Sequence, residues 1–172
     1  MALLQRAAAE AQREWIAQIA QQCTHQLTLQ TNLATYNRAA TTIERYAISA
    51  HSALNYFIPR FNRALTGNGW RRKPAYKPII IPSLEGTLNT YDRHKTLHWH
   101  ILLGNLPSYC NTEQLIDTAR TIWLQHHNAQ DNINCTQLWH NTGFGNYIQK
   151  ETRKGNYDCV ATQFIQAPVI TN

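Results

Sequence analysis

Hydrophobic residues recur along this chain at two spacings, and the switches between them mark out the elements. Leu4, Ala8, Ala11, Trp15 and Ile19 follow one another every three or four positions in an Ala- and Gln-rich stretch, which predicts an amphipathic helix over 2–22. In His25–Thr31, Leu27 and Leu29 alternate with Thr28 and Gln30, the period-two pattern of a strand buried on one face. Helical spacing returns between 35 and 65 at Ile43, Tyr46, Ala47, Ala50, Leu54, Phe57, Phe61 and Leu65, predicting a long helix with Pro59 as a candidate kink. A loop of turn-forming and basic residues follows at 66–74. The β-branched centre of Tyr76–Thr87 and the run Thr96–Leu103 predict two strands joined by a polar turn around 89–94, a hairpin. Leu115, Ile116, Ala119, Ile122 and Trp123 predict a helix over 113–125, with Asn111 or Thr112 available as its N-cap. Ile133–His140 reads as a further strand, and residues 146–153 start a short helix after Gly143-Phe144-Gly145. This order predicts an α+β, ferredoxin-like (split βαβ) antiparallel sheet with helices on one face. It would comprise an N-terminal helical extension (1–22) and a domain spanning 23–172 that ends in a C-terminal helix.

Composition narrows the field. The 172 residues are 43% hydrophobic, enough for one real core. Only 15% are charged, and Gln, Asn and Thr supply much of the polarity. Sixteen Lys and Arg against ten Asp and Glu leave a net charge of +6, which suits a polyanionic partner. The four cysteines, Cys23, Cys110, Cys135 and Cys159, form no CxxC pair, so neither a zinc knuckle nor a disulfide framework is indicated, and a reducing compartment fits. The strongest apolar runs, Ile79–Ile81 and Ile101–Leu103, are strand-sized and far below the roughly 18 residues of a membrane span. The N-terminus lacks the apolar block of a signal peptide, and the expectation is a soluble, cytoplasmic protein without a membrane partner. No GxxxxGK[ST] loop and no GxSxG elbow occurs.

The most informative segment is Leu97-His98-Trp99-His100-Ile101. On a strand, residues two apart share a face, so His98 and His100 project together while Leu97, Trp99 and Ile101 project to the other side. Imidazole is the commonest protein metal donor, although two surface histidines on a half-exposed strand would show the same spacing. A hairpin turn centred between Tyr91 and Asp92 sets Glu85 opposite His98, on the same face, as a third ligand. Glu85 is one of only ten acidic residues and stands in an otherwise apolar strand, where an unpaired carboxylate is costly. A one-residue bulge would turn it to the other face.

Tyr147 and Lys150 lie one helical turn apart in the expected last helix. A phenol is a poor nucleophile at neutral pH unless a cation lowers the cost of its anion, and Lys150 with a metal would do so. Arg60, Arg63, Arg71, Arg72, Lys73 and Lys77 put six of the sixteen basic residues within eighteen positions, interleaved with Phe61, Trp70 and Tyr76. Cations neutralise phosphates, and exposed aromatics stack on unpaired bases. His94, Lys95, Arg153 and Lys154 flank the expected site.

Taken in order, these motifs resemble the HUH endonuclease superfamily, in particular the rolling-circle replication initiators of plasmids, phages and single-stranded DNA viruses. Leu27-Thr28-Leu29-Gln30 is similar to the family's first motif, Leu97-His98-Trp99-His100 to its metal motif with Glu85 on the preceding strand, and Tyr147-Ile-Gln-Lys150 to its single-tyrosine nucleophile motif. The resemblance covers residues 25–153. It implies an endonuclease that nicks and rejoins single-stranded or origin-hairpin DNA. Its Mg²⁺ or Mn²⁺ would be held by Glu85, His98 and His100, and Tyr147 would form a 5′-phosphotyrosine. Lys150 would steady the metal-site charge, the phosphate or the tyrosinate, and a host helicase is a possible partner. Thr28, Gln30 and the basic residues above would contact DNA. The alternatives are a single-strand transposase or a relaxase of the same superfamily, and a noncatalytic ssDNA- or RNA-binding ferredoxin-like domain.

Overall fold

The computed structural model describes residues 2–72, 76–87, 95–139 and 160–168, and of 2–9, Trp70 and Arg71 the backbone alone. Expectations for Lys73, His94, Tyr147, Lys150, Arg153 and Lys154, including the C-terminal helix over 146–153, lie outside the described residues.

The described chain is α+β: three α-helices and one four-stranded antiparallel sheet. Helix α1 (Ala2–Ala20) leads into β1 (Cys23–Ala34), followed by α2 (Ala40–Thr66) and a 3-10 turn (Gly67–Arg71). Then come β2 (Ile79–Glu85), β3 (Thr96–Gly104), α3 (Thr112–Trp123), β4 (Ala129–Gln137) and a short 3-10 turn at Thr162–Phe164. The strand order is β2-β3-β1-β4, with every neighbouring pair antiparallel.

Alternation along the strands divides the sheet into two faces. Leu27, Leu29, Leu84, Leu97, Trp99, Ile101, Leu103 and Ile133 pack against α2 and α3 through Leu54, Phe57, Phe61, Leu115, Ala119 and Trp123. Trp99 and Trp123 are fully buried, and each indole N–H donates to a backbone carbonyl, of Ala50 and Gln30 respectively. The interior therefore takes two large rings without stranding a donor. The opposite face carries a second apolar cluster at one end, where Ile16, Ile19 and Ala20 of α1 meet Ile79, Ile81 and Leu102, joined by Leu138 and Val160. The rest of that face is polar.

Several boundaries differ from the sequence expectation. Among the described side chains of α1 the buried ones at the sheet are Ile16, Ile19 and Ala20, whereas Ala11 is exposed and Trp15 is 43% exposed. Helix α2 begins at Ala40 rather than near 35 and continues through Pro59. Asn111 caps α3 in a capping box: its side chain accepts from the Gln114 N–H, and the Gln114 side chain accepts from the Asn111 N–H. Strand β4 runs from Ala129 to Gln137 instead of 133 to 140, since its pairing follows the long partner β1 rather than its own polar start.

The outer edge of β2 is not left bare. Ile80 and Gln166 exchange N–H···O bonds of 3.1 and 2.9 Å, and the Ala161 N–H donates to the Pro82 carbonyl, so residues 160–166 pair along β2 and protect the edge. A buried bond from Asn62 Nδ2 to Gln166 Oε1 (3.1 Å) ties the same segment to α2.

The two middle strands meet tightly at one end, where a Cβ on Gly104 would collide with the backbone carbonyl of Gln22. Gly104→Ala is therefore expected to lower stability by about 1–3 kcal/mol, measurable as a fall in thermal midpoint; an unchanged midpoint would show that the α1–β1 junction gives way freely.

Candidate metal centre

Pairing between β2 and β3 sets Glu85 opposite His98 and Ser83 opposite His100. Pairing between β3 and β1 sets Thr28 opposite His100 and Gln30 opposite His98. All six residues thus share the polar face, away from α2 and α3. Glu85 (4% exposed) and His100 (8%) are buried and His98 is half-buried, so the site is a shallow recess in the sheet.

Three donor atoms converge there. Glu85 Oε2 lies 3.7 Å from His98 Nε2 and 3.6 Å from His100 Nε2, and the ligand atoms of the three residues all fall within 4.8 Å of one another. The two rings meet edge-on with centroids 4.9 Å apart. His98 Nδ1 is 3.0 Å from the Thr96 carbonyl oxygen, which only accepts, so Nδ1 carries the proton. In the neutral imidazole the Nε2 lone pair then points at a buried carboxylate. A proton on the ring or the carboxyl, or a cation shared by all three groups, would reconcile two electron-rich atoms at that distance.

The donor set fits a cation. Ligands about 2.1 Å from a metal are about 3.0 Å apart at right angles and about 3.4 Å apart at the tetrahedral angle. The two carboxylate–imidazole separations, 3.7 and 3.6 Å, exceed the tetrahedral value by only about 0.2–0.3 Å, and all three donors lie within 4.8 Å of one another. Two imidazoles and one carboxylate suit a first-row divalent ion such as Mn²⁺ better than Mg²⁺, which favours oxygen ligands.

Neutral side chains of β1 hydrogen-bond along one side of the recess. His100 Nδ1 lies 2.8 Å from Gln26 Nε2 and 3.1 Å from Thr28 Oγ1. Gln30 Nε2 donates to Thr96 Oγ1 at 2.9 Å, and its Oε1 accepts from Asn132 Nδ2, so this side chain knits β3, β1 and β4 together. Thr28 and Gln30, expected to touch DNA, are engaged in the protein's own site. Gln26 went unremarked in the sequence, although strand alternation alone puts it on this face with Thr28 and Gln30.

The described residues of the basic run lie elsewhere. Arg60 and Arg63 project from α2, on the far side of the sheet from the triad, and Arg60 stacks 3.5 Å above the Tyr56 ring. Phe61, read as a possible stacking platform, is fully buried against Phe57, because it falls on the inward stripe of α2. Arg72 is exposed, Lys77 is half-buried, and Lys95, also half-buried, offers its carbonyl to the Thr35 N–H. A cleft of about 650 Å³ opens beside this run, lined by Arg63, Thr66, Tyr76, Ser108 and Tyr109, with both tyrosines more than half exposed. It sits beyond the end of β3, roughly 16 Å of strand from His100.

Of the cysteines, Cys23 and Cys135 are buried, and burial pushes both thiols up to about 12; neither belongs to the Glu85, His98 and His100 group. No helix among the described residues is long and apolar enough to cross a membrane.

Comparison with protein-family models, curated proteins and solved structures finds no match to this chain.

Titration calorimetry with Mn²⁺ is expected to show one ion per chain. Glu85→Gln, which keeps the shape but removes the charge, should weaken binding by tenfold or more; equal affinity in the variant would remove Glu85 from the site.

Proposed function

We propose that this chain is a metal-dependent endonuclease of the HUH type that nicks and rejoins single-stranded DNA, as a rolling-circle replication initiator does. The observation that carries the reading is the convergence of His98 Nε2 and His100 Nε2 on the buried Glu85 carboxylate. The β2-β3-β1-β4 order supports the reading, being the order of a ferredoxin-like split βαβ sheet. So do Leu138 and Val160, the anchors on either side of residues 140–159, which both pack on the face that bears the triad.

When bound, Mn²⁺ or Mg²⁺ supplies Lewis-acid polarisation of the scissile phosphodiester. Glu85, His98 and His100 hold that charge in a recess of low exposure, where electrostatic stabilisation is stronger than in water. The Tyr147 hydroxyl attacks phosphorus in line, a P–O bond to tyrosine forms, and the P–O3′ bond breaks. The freed 3′-oxygen takes up a proton, and Lys150 lowers the cost of the tyrosinate. One phosphoester replaces another, so reversal by a 3′-hydroxyl rejoins strands without ATP. The net charge of +6 and the cleft of Tyr76, Tyr109 and Arg63 supply positive charge and stacking rings for a strand that continues past the end of β3.

Mixing the protein with Mn²⁺ and a broad pool of single-stranded oligonucleotides should give a slow-migrating covalent adduct on a denaturing gel. Tyr147→Phe should lose the adduct while binding DNA nearly as well. An adduct that survives Tyr147→Phe, or none from the wild-type chain across the pool, contradicts the proposal.

A further inference from the structure

Gln26 is half-buried on β1, in neither apolar cluster, and its amide lies 2.8 Å from His100 Nδ1. That contact bears on the centre through the chemistry of imidazole. A neutral ring carries one N–H, and the nitrogen that ligates a metal must be the other one. His100 points Nε2 towards Glu85. To ligate there, it must carry its proton on Nδ1 and donate it to an acceptor.

The neighbours of Nδ1 do not offer that acceptor equally. Gln26 presents Nε2, a donor that can meet only a lone pair on Nδ1. Thr28 Oγ1, at 3.1 Å, can either give or take a proton. With the Gln26 amide turned this way, Nδ1 accepts and the His100 proton falls to Nε2, the nitrogen 3.6 Å from the Glu85 carboxylate, while His98 has its proton on Nδ1 against the Thr96 carbonyl. One imidazole is therefore set to ligate and the other is not.

We propose that Gln26 is a positioning residue that couples metal binding to the tautomer of His100: when a divalent ion binds, the amide turns over, Oε1 takes the Nδ1–H, and the Nε2 lone pair is released to the metal. Thr28 serves both states, since its hydroxyl reverses direction without moving. The coupling rests on the metal-centre reading of Glu85, His98 and His100 and is independent of any reaction with DNA.

Nitrogen-15 NMR of the histidine rings reads the tautomer directly, with Zn²⁺ as a diamagnetic probe. The metal-free wild-type chain should show His100 protonated on Nε2 and His98 on Nδ1, and saturating Zn²⁺ should move the His100 proton to Nδ1. Gln26→Glu, whose carboxylate only accepts, should hold the Nδ1–H form without metal and bind Zn²⁺ at least as tightly as wild type. Gln26→Leu should bind roughly tenfold more weakly. A purely structural role would move the thermal midpoint in both variants and leave the tautomer alone. An Nδ1–H form in the metal-free wild type, or equal Zn²⁺ affinity in all three proteins, overturns the coupling; absence of Zn²⁺ binding overturns it together with the metal centre. If the coupling is seen but no DNA adduct forms, it stands and the nicking proposal alone falls.

Discussion

Everything at the candidate site depends on the antiparallel register of β2 and β3. Glu85 and His98 are cross-strand partners, and strand side chains alternate between faces. A slip of one residue would send the carboxylate into the apolar layer under α2 and leave the histidines with no acid beside them. The register is held on both sides. Ile80 and Leu84 are buried on the helix face, Ile79 and Ile81 on the face of α1, and the 160–166 segment pairs along the outer edge of β2. Gly104, opposite Ile79, admits the α1–β1 junction against the far end of β3.

Within that frame the electrostatics are set by backbone and by neutral side chains. The Thr96 carbonyl decides the His98 tautomer and aims a lone pair at Glu85. A carboxylate this buried costs on the order of 3–5 kcal/mol if its compensating charge is taken away. A divalent ion shared by the three groups would remove that penalty and give both imidazoles a ligand's role. No lysine or arginine is bonded to the recess among the contacts described, and the positive charge of α2 lies on the other side of the sheet. Among the described residues, the β1 side of the centre is lined by amides and hydroxyls that reorient at little cost.

Much of this was legible in the sequence, and the limits have physical causes. Period-two alternation put His98 and His100 on one face, and the hairpin count placed Glu85 beside them, because strand geometry leaves little freedom once a turn is located. The capped start of α3 was equally readable, since Asn111 and Gln114 act locally. Tertiary features were not. Trp15 belongs by spacing to the stripe of α1, yet it is 43% exposed, while Ile16, Ile19 and Ala20 pack on the sheet. The first residues of β4 are polar and form a strand because β1 offers them partners. The charge cluster on α2 showed up in composition, but which side of the sheet it occupies follows from packing. Gln26 carried no motif at all; its place beside His100 emerges only from the register of β1 on β3.

The most direct test of the metal centre is anomalous diffraction from crystals of the full chain grown with Mn²⁺ and recorded on either side of the manganese edge. A single strong peak bounded by His98 Nε2, His100 Nε2 and a Glu85 carboxylate oxygen, each about 2.2 Å away, is the expected result. A map with no peak between those three side chains, at manganese levels that saturate the protein in solution, would contradict it.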